Sequence, residues 1–82
     1  MEEKRIAVIA VVVKDRENAM HLNKILHDYG KYIISRNGIP YKDKEINIIT
    51  VILDAPQDVV SALSGKIGKL QGVEAKTSYL KV

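Results

Sequence analysis

Eight consecutive aliphatic residues, Ile6-Ala7-Val8-Ile9-Ala10-Val11-Val12-Val13, constrain this chain more than any other feature. Their β-branched side chains favour extended backbone, and a run without polar alternation reads as a strand covered on both faces. Lys4-Arg5 ahead of the run superficially suggests a signal peptide. The run, however, stops at Lys14-Asp15-Arg16-Glu17 with no small-x-small cleavage site behind it. It also falls far short of the roughly 20 apolar residues that a membrane span requires. The expectation is a soluble, cytoplasmic protein with no membrane segment. At 82 residues the chain has room for a single core, a single domain over residues 1–82.

The remaining elements follow from periodicity. Asp15 is placed to cap a first helix, expected from Arg16 to Tyr29, whose apolar stripe is Ala19, Leu22, Ile25, Leu26 and Tyr29. Gly30 is the expected left-handed stop. Lys31 to Asn37 reads as a second strand, Asn37-Gly38 with Pro40 as turn chemistry, and Lys42-Asp43-Lys44 as a polar loop. Glu45 to Leu53 is a third strand, interrupted only by Asn47 and Thr50 in its apolar pattern. Asp54-Ala55-Pro56 is expected to open a second helix with the stripe Val59, Val60, Leu63, Ile67 and Leu70. Gly72 ends that helix, and Val73 to Lys81 alternates as a fourth strand.

The order strand-helix-strand-strand-helix-strand predicts an α+β, ferredoxin-like βαββαβ fold, a four-stranded antiparallel sheet with two helices on one face. Its first and third strands are central, and these are the two that are apolar throughout. That arrangement leaves several aliphatic side chains on the face away from the helices. Residues 1–4 and Val82 are too few to cover them. An exposed apolar patch of several hundred Å² is uncommon on a monomer. Self-association through the sheet, as a dimer or tetramer, is therefore expected.

Composition removes several functions that this fold can host. The chain has no cysteine, which excludes disulfides, thiolate metal sites and cysteine nucleophiles. A net charge of +3 is too weak to indicate a nucleic-acid partner. RNA-recognition sheets stack bases on aromatic residues of the first and third strands. Here the aromatics are Tyr29, Tyr32, Tyr41 and Tyr79, none on those strands. Acylphosphatase-like phosphate binding needs a glycine-rich loop after the first strand, and Lys14 to Asn18 contains no glycine. His21 and His27 stand about 120° apart around a helix of 3.6 residues per turn, the wrong azimuth to chelate one ion. No cofactor, metal site or catalytic residue is assigned.

Asp15-Arg16-x-x-Ala19, Ile25-Leu26 and Gly30 resemble the opening of ACT domains, small regulatory modules that often bind amino acids. Leu70-x-Gly72-Val73 resembles the end of their second helix and start of their fourth strand. Where amino-acid-binding members have Pro-Gly, this chain has Glu17-Asn18. Ile25 to Val73, especially His27-Asp28 and Gly65 to Val73, is also similar to the C-terminal domain of nickel-responsive repressors. Those have His-x-His on the second strand and a cysteine near the third. Here the stretch reads Gly38-Ile39-Pro40, so the nickel site does not carry over. The repressors' ribbon-helix-helix segment has no counterpart either, and no direct DNA-binding element is expected.

Over its full length the chain resembles the short ACT-like proteins named as iron-only hydrogenase system regulators. The resemblance implies a non-enzymatic, oligomeric regulatory domain acting through a small-molecule effector or a protein partner. Relatives with an effector hold it near the first strand–helix loop, which makes Asp15, Arg16, Glu17 and Asn18 the candidate ligand-binding residues. The alternative is a structural assembly module without a ligand.

Overall fold

The computed structural model describes residues 3–82. Its strands are β1 (Lys4–Val13), β2 (Ile33–Tyr41), β3 (Ile46–Pro56) and β4 (Val73–Leu80). Its helices are α1 (Ala19–Asp28) and α2 (Gln57–Gly68). The strands form one antiparallel sheet in the order β2-β3-β1-β4, the predicted ferredoxin-like arrangement. No helix among the described residues is long and apolar enough to cross a membrane.

Strand alternation divides β1 between two environments. Ala7, Ile9, Val11 and Val13 point toward the helices and are buried, together with Val51, Leu53 and Ala55 from β3. Leu22 and Leu26 of α1 and Val60, Leu63 and Ile67 of α2 complete this core. Each helix thus buries the stripe read from its sequence, with Ile25, Tyr29, Val59 and Leu70 packed partly buried at its margin.

The other face carries Ile6, Val8, Ala10 and Val12 from β1 and Ile46, Ile48 and Ile52 from β3, by their place in the strand registers. Ile39 and Tyr41 of β2 lie opposite Ile48 and Ile46, and Leu80 of β4 lies opposite Ile6. Ile39, Tyr41, Ile48 and Leu80 are exposed. This side of the sheet is bare of helices, with an aliphatic centre on β1 and β3 broken by Thr50 and flanked on β4 by Glu74, Lys76 and Ser78.

Four local expectations are corrected. Arg16 to Asn18 form a 3₁₀ turn, and the α-helix begins only at Ala19, because the Asp15 side chain caps Glu17 and tightens the entry. Gly30 is not left-handed; it opens a second 3₁₀ turn, Gly30–Tyr32. The Asn37-Gly38-Pro40 segment is not a turn but lies inside β2, while the chain reverses at Lys42–Lys44 with Glu45 in the left-handed region. An edge strand tolerates proline there, since one side of its backbone has no ladder partner. Asp54-Ala55-Pro56 is not the start of α2 but the end of β3, where pairing to Lys4, Arg5 and Ile6 outcompetes helix initiation. Asp54 is therefore a sheet-face residue.

Candidate functional site

The loop from β1 into α1 is fastened to the turn before β4. Lys14 N–H donates to the Gly72 carbonyl at 2.7 Å, and the Asn18 side-chain amide donates to the Gln71 carbonyl. Asp15 Oδ1 accepts from the Glu17 amide at 2.9 Å, closing the turn. The imidazole Nδ1 of His21 lies 3.0 Å from Asn18 Oδ1. Gly72 makes the junction sterically feasible. Its φ of +74° is left-handed, and a Cβ there would lie 2.5 Å from Asp15 Cβ.

The four candidate residues therefore divide by role. Asp15 and Asn18 spend their polar atoms on the loop's own architecture. Glu17 is exposed at its apex. Arg16 lines a small notch of about 30 Å³ together with Pro40, Lys42, Glu45 and Asn47.

That notch adjoins a larger cleft, about 220 Å³, between α1 and the β2–β3 edge. Val13, Ala19, Leu22 and Ile49 make its walls apolar, and Asn23, Asn47 and the Gly38–Pro40 stretch of β2 also line it. The cleft opens where β2 lacks side-chain bulk: Gly38 lies opposite Ile49 with only ordinary van der Waals space to spare. Asn47 is the residue that sequence reasoning undervalued. It pairs with Val13 and shares the helix-facing row of Ile49, Val51 and Leu53, an otherwise apolar series. Its half-buried amide borders both recesses. The polar interruption at Asn47 was visible in the sequence, but only the strand register shows which face it takes. Asn23, which accepts a hydrogen bond from Arg36, carried no signal.

Chemically, this arrangement suits recognition. An apolar cleft with amides at its rim and a guanidinium at one end can seat a small amphipathic molecule with an acidic group.

Comparison with known proteins places the chain. Residues 5–77 match the family described as "TM1266-like: Iron-only hydrogenase system regulator, putative". The uncharacterized protein TM1266 from Thermotoga maritima superposes with a TM-score of 0.91 at 40% identity, covering 96% of this chain and 100% of that one. A formyltetrahydrofolate deformylase from Pseudomonas putida KT2440 matches at TM-score 0.64 and 10% identity, over 89% of this chain and 28% of the deformylase. The divalent ion tolerance protein CutA1 from Ehrlichia chaffeensis matches at 0.52 and 19% identity, over 96% and 84% of the two chains. The last two likenesses concern the fold alone. No curated protein matches this chain.

Proposed function

Because this chain belongs to the TM1266-like family, we propose that it is a non-enzymatic regulatory domain that assembles through its bare sheet face and responds to a small effector. The observation that carries this reading is the aliphatic face of β1 and β3, with Ile48 and its neighbour Ile39 exposed. At about 25 cal/mol per Å², covering several hundred Å² of such surface contributes many kcal/mol before association entropy is subtracted. The assembled unit is then a homo-oligomer, a dimer or tetramer. Native mass spectrometry of the purified protein is expected to give a multiple of the subunit mass. A single-subunit mass at micromolar concentration would remove the proposal.

The effector belongs at the β1–α1 loop, with Arg16 as its charged contact and the adjoining cleft as its apolar seat. Asp15, Glu17 and Asn18 shape the loop around it. Thermal shift against amino acids, nucleotides and divalent cations tests this. A true effector at 100 times its Kd stabilises the fold by about 2.7 kcal/mol. For a compound that shifts the wild type, Arg16→Ala is expected to weaken binding at least tenfold, the scale of a lost charged hydrogen bond. Unchanged affinity would exclude Arg16. No shift with any compound would leave the assembly module without a ligand as the better reading.

A further inference from the structure

We infer that β4 is a second interface, on which another copy of this chain adds its own β4 antiparallel about Ala75, joining two sheets into one. The paired groups are the outer backbone edge of β4, which adjoins the sheet face discussed above: the side chains of Glu74 and Lys76 lie on that face, opposite Val12 and Ala10.

The two sheet edges are built differently. Unpaired strand edges invite further pairing, and proteins blunt them with proline, bulges and irregularity. β2 has such defences: Pro40 within the strand and a register break between Ile33 and Ser35. β4 has neither. It runs from Val73 to Leu80 without proline, and its register to β1 is continuous from Val13↔Val73 to Ile6↔Leu80. An open recess of about 520 Å³ runs round this edge, bordered by Gly68 of α2, by Val73, Glu74, Ala75 and Lys76, and by Ala10 and Val12 on the bare face. A Cβ on Gly68 would meet nothing within 4 Å, so α2 leaves room for an incoming strand.

Hydrogen-bond parity determines which residues serve it. Lys14 donates to Gly72, its direct partner in register, so Glu74, Lys76 and Ser78 turn their backbone groups toward β1. Ala75, Thr77 and Tyr79 then point theirs outward. An antiparallel copy must pair these odd positions with odd positions, which leaves few registers. Centring on Glu74 sets like charges opposite each other, and centring on Lys76 does the same. Centring on Ala75 places Glu74 opposite the second copy's Lys76, twice, in the non-hydrogen-bonded pairs where side chains approach closest. Lysine alone blunts an edge; lysine two residues from glutamate makes this one self-complementary. The contact of Glu74 with Lys14, 3.3 Å between side chains 75% and 55% exposed, leaves Glu74 free to turn.

The chain has no cysteine, so disulfide trapping is clean. In the proposed register Ala75 faces its own copy at about 5.5 Å between Cα atoms, within disulfide reach. Two copies of Thr77 would stand about 13 Å apart along the strands. Ala75→Cys, oxidised in a glutathione buffer, is expected to give mainly covalent dimer on a non-reducing gel, and Thr77→Cys little. The same dimer is expected in an Ile48→Asp background, which separates this interface from the sheet face. Equal or greater trapping through Thr77→Cys overturns the register. No trapping by Ala75→Cys, with circular dichroism showing the fold retained, overturns the interface. Charge exchange gives a readout independent of cysteine. Lys76→Glu and Glu74→Lys, each alone in the Ile48→Asp background, are expected to self-associate at least tenfold more weakly by sedimentation. Mixed, they regain opposite charges and are expected to pair. A mixture no tighter than its components overturns the proposal.

Discussion

Ile48→Asp is expected to weaken assembly through the sheet face by about 100-fold or more. Ile48 lies between Ile39 of β2 and Val12 of β1, in the middle of an aliphatic row. A carboxylate there must either keep its water, holding the copies apart, or be buried without a partner at a cost of several kcal/mol. Ile48 is 37% exposed in the single chain, so the fold itself tolerates the change. Sedimentation equilibrium across a concentration series reads the effect, with far-ultraviolet circular dichroism confirming unchanged secondary structure. An unaltered dissociation constant would mean that this face is not the interface.

Gly72→Ala acts on stability instead. Left-handed backbone costs a non-glycine residue about 1 kcal/mol or more. The new methyl would also meet Asp15 Cβ at 2.5 Å and Asp15 N at 3.3 Å. Asp15 cannot simply retreat, since the Lys14–Gly72 and Asn18–Gln71 hydrogen bonds draw the two segments together. A loss of about 2–3 kcal/mol is expected, lowering Tm by about 10–20 °C in a domain of this size. Gly65→Ala is the control. It lies within α2, a Cβ there meets nothing within 4 Å, and it should gain about 1 kcal/mol from helix propensity. If Gly72→Ala melts like wild type, the junction is not the constraint described.

The sequence made the fold legible wherever one local pattern had one outcome. The run from Ile6 to Val13 is a strand as read, buried under the helices on one face and bare of them on the other, and the stripes of α1 and α2 named the residues that pack on the sheet. Turn chemistry was the ambiguous signal. Asn37, Gly38 and Pro40 favour a reversal in isolation, yet pairing with Thr50, Ile49 and Asn47 keeps them extended. Pro56 marks the helix start, but the strand runs up to it because β1 is long enough to pair that far. The candidate site was legible in place but not in division of labour. That Asp15 and Asn18 are committed to the loop depends on Gln71 and Gly72, distant in sequence. The cleft itself arises from register, which brings Gly38 and Asn47 under α1.

The position of β1 between β3 and β4 also has a consequence during synthesis. This aliphatic strand leaves the ribosome before both of its partners, which begin at Ile46 and Val73. Until translation reaches them, a naked β-branched ribbon must persist in the crowded cell. Nascent chains of this protein should therefore engage holdase chaperones before compaction begins.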